Sequence, residues 1–420
     1  MNLEMNPEIK QEAEYCLHCK NKPCSNNGCP LNNNIPEFIE KIKEENFKEA
    51  ADILYQTTVL PAICGRVCPH YKQCMGSCVR GIKGNPVNIG KLEAFIGDWA
   101  LENNYQIKKM DIDKNRKKKK IAIIGGGPAG LTAAAFLAKK WNNVTIYEKY
   151  DKLGGLLVHG IPDFRLSRKI IHDQIELILK LGINVKYNME LGRNLFISDL
   201  EQVYDNIILA FGANCSSKMD IDGENLEGVF GGNELLEYNL HPNYEGKIVV
   251  VNGGGNVAMD TARTIKRLGA KRVIVTYRRS KAEMPAESKE IEAAMNEGVE
   301  FLFQHNIVRI IGDKNVKKIE LIKTKLIQKD GETRPIPVNI EDSNYLIDVD
   351  YVVMAIGSVP VDETKNLGLE CTKYGYIKVD EKGMTSNQKI YAIGDLANNK
   401  STIAWAARSG KNVAEEIDKL

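Results

Sequence analysis

The stretch KIAIIGGGPAGLTAAAFLAKKWNNVTIYEKYDKLGG, Lys120 to Gly155, decides the fold. It opens on an apolar run with no alternation, as a parallel strand covered on both faces requires. The chain then turns through Gly125, Gly127 and Gly130 in the register G-x-G-x-x-G. Gly125 permits the tight turn, Gly127 lets a pyrophosphate approach the backbone, and Gly130 lets the next helix lie close on the strand. That helix begins at Pro128 and Ala129 and offers N–H groups and a positive dipole end to the phosphates. Glu148 ends the following strand, placed to accept from a ribose 2′-hydroxyl, and Lys149 comes directly after it. A glycine triplet alone also makes plain turns; strand, triplet, helix, strand and acid in sequence read as a dinucleotide site.

The same texture returns in KIVVVNGGGNVAMDTARTIKRLGAKRVIVTYRRS, Lys247 to Ser280. Gly253, Gly255 and Ala258 take the corresponding places, and Asn256 and Val257 open the helix. This strand end carries no acid but Tyr277, Arg278 and Arg279. Two guanidiniums there pair with a 2′-phosphate, which selects NADP over NAD; the bland alternative is that they face solvent beyond the strand. Two such units make the class α/β and doubly wound, with two dinucleotide-binding, Rossmann-like domains.

Outside these units, 420 residues predict two to three domains at roughly 150 residues each. With 43% hydrophobic and 27% charged residues the chain is globular, not disordered. A net charge of +2 gives no global field toward nucleic acid or anionic lipid, so neither is expected as a partner. Ile121 to Ala138 is the longest uncharged run, but glycines and a proline interrupt it and no membrane span is expected. The start, MNLEMNPEIKQEAEY, has no basic stretch leading into an apolar one, so it is not a secretory signal and the expected location is cytoplasmic.

Eight of the ten cysteines fall between Cys16 and Cys78. In a reducing compartment such clustering means metal rather than disulfides. CLHCKNKPCSNNGCP spaces its thiols C-x2-C-x4-C-x4-C-P, and CGRVCPHYKQCMGSC spaces them C-x3-C-x5-C-x3-C. Zinc favours paired compact knuckles separated by a long spacer, whereas a close run ending in Cys-Pro is how ferredoxin-type clusters are bound. Apolar spacing predicts helices over Ile35 to Ile42, Phe47 to Leu54 and roughly Lys91 to Leu101. The run KNRKKKK, Lys114 to Lys120, reads as a solvated linker. Cys215 and Cys371 read as core thiols, and the histidines show no catalytic pairing.

YAIGDLA, Tyr391 to Ala397, resembles the C-terminal flavin motif of two-dinucleotide-domain flavoproteins of disulfide-reductase-like arrangement. The resemblance implies that Asp395, after Gly394, holds the ribityl chain of FAD. It also implies that the helix from about Thr402 to Lys419 points its N-terminus at the isoalloxazine. IILAFGA with Gly212 and VVMAIGSVP with Gly357 resemble the strands by which such proteins cross between domains. Thioredoxin reductases share the frame but carry a redox C-x-x-C in the nicotinamide domain, which this chain lacks.

Together with the cysteine groups, the segments LPAICGRVCP, NPVNIGKLEAF, GGLLVHGIPDFRL and YRRSKAEMPA resemble the small (beta) subunit of NADPH-dependent glutamate synthase. Its relatives are the N-terminal half of dihydropyrimidine dehydrogenase, the large subunit of ferredoxin:NADP transhydrogenase, and sulfide dehydrogenase. The likeness covers nearly the whole chain. It implies an α-helical domain over 1–112 with two [4Fe-4S] clusters and a linker over 113–120. An FAD domain over 121–245 and 358–420 and an NADP(H) domain over 246–357 complete the chain. In this likeness Gly155, Leu156 and Arg165 also line the FAD site. One cluster takes Cys16, Cys19, Cys24 and Cys78; the other takes Cys29, Cys68, Cys74 and Glu93, leaving Cys64 a buried non-ligand. Counting thiols alone would instead put Cys64 in and Glu93 out. The resembled proteins usually have three residues between the third and fourth cysteines, where this chain has Ser25 to Gly28.

The implied activity is hydride transfer from NADPH to FAD, then single electrons through the clusters to a partner subunit, with the cofactors carrying the chemistry. Position 2 is Asn2 and no barrel follows, so glutamate synthesis would need a separate large subunit. A transhydrogenase or sulfide dehydrogenase-type complex is the nearest alternative, and a zinc-stabilised nucleotide-binding redox sensor without turnover is the alternative of a different class.

Overall fold

A computed structural model describes residues 5–111, 117–329, 331–332, 334–397 and 400–419. The expected linker lies partly outside them. The helices are α1 (Pro7–Glu14), α2 (Ile35–Lys43), α3 (Phe47–Leu54), α4 (Pro61–Val67), α5 (Ile89–Glu102), α6 (Pro128–Lys139), α7 (Leu156–His159), α8 (Arg168–Leu179), α9 (Ile197–Val203), α10 (Gly232–Tyr238), α11 (Asn256–Arg267), α12 (Ser288–Asn296) and α13 (Ile403–Lys419). The strands are β1 (Lys120–Ile124), β2 (Asn143–Tyr147), β3 (Asn184–Lys186), β4 (Asn206–Leu209), β5 (Cys215–Ser216), β6 (Val229–Gly231), β7 (Ile248–Asn252) and β8 (Arg272–Tyr277). They continue with β9 (Glu300–Phe303), β10 (His305–Gly312), β11 (Val316–Ile327), β12 (Ile336–Asn339), β13 (Tyr345–Asp348), β14 (Tyr351–Met354), β15 (Ser358–Val359) and β16 (Ile390–Ala392).

Packing divides the chain into two compact units. The first holds Met1–Val158, Asp163–Gly212 and Asp362–Leu420, and the second holds His159–Pro162 and Ala213–Val361. In the first, a parallel sheet runs β3-β2-β1-β4-β16. Ile121 to Ile124 are all buried, as the unbroken apolar run requires, with Ala122 and Ile124 packed among Leu195, Leu200 and Ile377. The second unit repeats the order as β9-β8-β7-β14-β6, again parallel. Pairing of β6 with β14 places the segment after Gly212 in this second sheet, earlier in the chain than its glycine motif. A small antiparallel sheet of β10, β11, β12 and β13 completes the second unit.

In the N-terminal part, Ile35, Phe38, Ile39 and Ile42 of α2 and Ala50, Ala51 and Leu54 of α3 are buried at the helical spacing the sequence predicts. Helices α4 and α5 pack at glycine distance. A Cβ on Gly65 would lie 2.4 Å from the Ala94 nitrogen, and one on Gly97 would lie 2.3 Å from the Ala62 nitrogen. That close crossing brings the end of α4, where Cys68 sits, to the helix bearing Glu93.

Candidate active site

The cysteine region has one local feature the spacing did not announce. Cys24–Gly28 forms a π-turn, closed by the Cys29 N–H donating to the Cys24 carbonyl at 2.8 Å. A π-turn holds one residue more than an α-turn, which accommodates the four residues Ser25 to Gly28 between Cys24 and Cys29. Gly28 is required there: a Cβ would come within 2.8 Å of the Cys74 Cα and the Gln73 carbonyl.

The thiols then fall into two groups. Cys16, Cys19, Cys24 and Cys78 line one pocket, open at its mouth, with walls that include Ile35, Ile39 and Ile89. Burial, reinforced by the neighbouring Cys16, pushes the Cys24 thiol up to about 11. The second group gathers Cys29, Cys68 and Cys74 about Glu93, each within electrostatic reach of that carboxyl. Burial and Glu93 push the Cys29 thiol up to about 12. Burial alone raises Glu93 to about 8, against the Asn33 amide, which donates to its Oε1 at 3.2 Å. Asn33 is in turn held by the Thr57 hydroxyl, which donates to it at 2.8 Å. Cys64 is buried on α4, hydrogen-bonds with Cys68 one turn on, and lies within the same electrostatic reach of Glu93, Cys29 and Cys74. Buried thiols crowded with like-charged neighbours resist deprotonation, and a cationic centre is what relieves them.

The N-terminal end of α13 adjoins this second group. The Ala404 N–H donates to the Cys68 sulfur, and Gln73 donates to the Thr402 hydroxyl at 3.4 Å. Thr402 also caps α13 by accepting from the Trp405 N–H at 3.3 Å. Asp395 lies in the turn before α13, and its Oδ1 is buried with no hydrogen-bond partner among the described residues. Burial pushes that carboxyl up to about 6. An orphaned, buried carboxylate oxygen fits a ligand hydroxyl.

The first glycine loop is open where a phosphate would approach. A Cβ on Gly127 would meet only the Gly155 Cα, at 3.9 Å, and Gly127 caps α6 with Pro128 and Ala129 following. Gly155 takes φ +52°, and its neighbour Gly154 donates to the Gly126 carbonyl at 2.8 Å, so the loop carrying Gly155 and Leu156 docks on the glycine turn. Glu148 is buried, and its carboxylate already accepts the Gly126 N–H at 2.8 Å and the Tyr150 N–H at 3.1 Å. Each of its oxygens keeps a second lone pair for a sugar hydroxyl. Lys149 is exposed over the Tyr150 ring, and Gly212 and Gly394 take positive φ at the ends of the strands they follow. Arg165 is half-buried.

In the second unit nothing would crowd a Cβ on Gly255, and Gly253 takes φ +150°. Asn256, Val257 and Ala258 open α11, with Asn256 accepting from the Glu287 N–H at 3.0 Å. Arg278 and Arg279 follow β8, and Arg279 donates through Nε to the Pro335 carbonyl at 2.9 Å. Arg334 approaches the same place from the β11–β12 hairpin, where no sequence motif marked it. Gly357, at φ +150°, lies beside Ser217. Asn33, Thr57, Gln73 and Arg334 were not visible as site residues because they act through pairings made only in the folded chain.

Residues 119–410 match the model of the pyridine nucleotide-disulphide oxidoreductases, and residues 2–105 match that of dihydropyrimidine dehydrogenase domain II, 4Fe-4S cluster. The glutamate synthase [NADPH] small chain of Halomonas elongata is 34% identical over 97% of this chain and 89% of its own length. The chain belongs to the glutamate synthase small-chain family. The small chain of Escherichia coli is 33% identical over 98% of this chain and 91% of its own. Mycobacterium tuberculosis FprA in complex with NADPH shares the fold, with TM-score 0.66 at 20% identity over 72% of this chain and 84% of that one. This small-chain family member is therefore an FAD-dependent pyridine-nucleotide oxidoreductase with a 4Fe-4S domain. Its described residues include no helix long and apolar enough to cross a membrane.

Proposed function

We propose that this protein is the electron-input subunit of a cytoplasmic complex. It would take hydride from NADPH at the second glycine unit and deliver electrons to a partner of the glutamate synthase large-subunit kind. Gly125, Gly127, Gly130, Glu148 and Asp395 would hold FAD, and Arg278 and Arg279 would hold the 2′-phosphate of NADPH. Cys16, Cys19, Cys24 and Cys78 would hold one [4Fe-4S] cluster, and Cys29, Cys68, Cys74 and Glu93 a second. FAD accepts a hydride and the clusters carry single electrons, so together they convert a two-electron donor into one-electron flow. The protein's own part is alignment: Thr402 and Ala404 tie the flavin-side end of α13 to Cys68 and Gln73.

The observation that carries this reading is the grouping of the buried thiols, with Glu93 among the second set. Among the described residues, no three His, Cys, Asp or Glu side chains converge on a single-ion site. Anaerobically purified protein should contain FAD and about eight irons with matching acid-labile sulfide. Stoichiometric zinc without sulfide sinks the proposal. Cys64→Ala should leave both cluster signals in the electron paramagnetic resonance spectrum, while Glu93→Ala should perturb one; the reverse favours a four-cysteine second cluster.

A further inference from the structure

The strand-end arginines are not alone. Tyr277 ends β8 with its ring against the glycine loop: a Cβ on Gly254 would come within 2.6 Å of that ring. The Tyr277 hydroxyl donates to the Glu283 carbonyl at 2.8 Å. Arg334, from the hairpin between β11 and β12, donates through its terminal nitrogen to the same hydroxyl at 2.7 Å and also contacts the Glu283 carbonyl. Its guanidinium is thus one aromatic ring away from the open glycine turn, on the side where Arg278 and Arg279 emerge.

The hairpin is clamped to that pair by their own backbone and side chains. The Thr324 hydroxyl donates to the Arg278 carbonyl at 2.8 Å, and Arg279 donates to the Pro335 carbonyl, the residue after Arg334. Three cations therefore share one place; partial burial and the Arg279 and Arg334 charges pull Arg278 down from the ordinary arginine range. The nearby carboxylate, Glu283, accepts from the Ser280 N–H at 3.0 Å and hydroxyl at 2.6 Å, and its charge also reaches Arg334, one anion against three cations. Gathering like charges is unfavourable unless an anion completes the set, and a phosphate monoester suits planar guanidinium forks.

We propose that Arg334 is the third cation of the 2′-phosphate site and a determinant of the choice of NADPH over NADH; this rests on the NADPH reading. The hairpin then belongs to nucleotide recognition, since it carries one cation and anchors another. Calorimetric titration of the full chain with 2′,5′-ADP and with 5′-AMP isolates the 2′-phosphate. Arg334→Ala should weaken 2′,5′-ADP by about ten- to a hundredfold and leave 5′-AMP affinity unchanged. Arg334→Lys should retain part of the loss, because charge stays while the fork goes. Unchanged 2′,5′-ADP affinity in Arg334→Ala overturns the proposal, and so does equal weakening of both nucleotides, which marks a hairpin that only supports the pocket. Failure of the NADPH reading looks different: the wild type then binds the two nucleotides alike and Arg278→Ala changes neither.

Discussion

Helices α6 and α11 occupy the same place in two sheets of the same strand order, yet their sequences have little in common. Every residue of α6 from Ala129 to Lys139 is buried, because α13 covers the side away from the sheet. A Cβ on Gly410 of α13 would lie 2.3 Å from the Ala129 carbonyl, so the helices meet backbone to backbone and α6 is built of alanines. In α11, Ala258, Met259, Ala262 and Ile265 face the core, while Arg263 and Arg267 reach carboxylates on or just past α12. The turns differ too: a Cβ on Gly130 would lie 2.0 Å from the Gly125 carbonyl, whereas the second unit accommodates Ala258 there. Topology is therefore set by strand and turn, and composition by whatever covers each helix.

The largest effect tests that second half. Arg263 is buried and shared by Glu290 and Glu297, and Glu297 is held down to about 2 by the Arg267 and Arg263 guanidiniums. Arg263→Ala should cost about 3–5 kcal/mol, since it removes one partner of a buried pair, and replacing Arg263 and Glu290 together by apolar residues of like volume should recover most of it. Urea unfolding of both variants measures this. If Arg263→Ala is nearly neutral, ion pairing is not what replaces the missing helix cover on α11.

Next comes the strand-end difference, Glu148 in one unit against Arg278 and Arg279 in the other. Losing one charge-assisted contact costs about 1.5–3 kcal/mol, or about ten- to a hundredfold in affinity. Steady-state assays of Arg278→Ala and Arg279→Ala with an artificial acceptor should show this loss for NADPH and hardly any for NADH. If the wild type prefers NADH, or both variants lose the two substrates equally, the two strand ends do not divide the cofactors as proposed.

Much of this was legible because it is local. A continuous apolar run followed by glycines at fixed spacing dictates strand, turn and helix, and both sheets formed where IAII and IVVV predict them. The helices over Ile35–Lys43 and Phe47–Leu54 match their apolar period. What could not be read depends on distant pairing. The segment after Gly212 joins the second sheet through β6, a three-residue strand with no pattern of its own. The π-turn at Cys24–Gly28 shows only as one residue too many. Arg334 meets Tyr277 from 57 residues away, through a hairpin whose composition carries no motif.

The smallest effect concerns Asp395, the first unit's proposed acidic reader of FAD. Its carboxyl is pushed up to about 6 by burial, with Oδ1 lacking a partner among the described residues. A ribityl hydroxyl donating to it favours the ionised form, so its pKa with FAD bound lies below that value. Between the two values binding releases a proton, and affinity falls as pH drops from about 6, by up to about tenfold per pH unit, then levels. Above about 6 the carboxylate is ionised with or without FAD, and this dependence vanishes. Fluorescence titration of flavin-free protein at pH 7, 6 and 5 measures the slope. Asp395→Asn should bind FAD more weakly at pH 7 and show no such slope. A wild type whose FAD affinity is flat from pH 7 to 5, or an Asn variant with the same slope, would mean that the buried carboxylate does not read the ribityl chain.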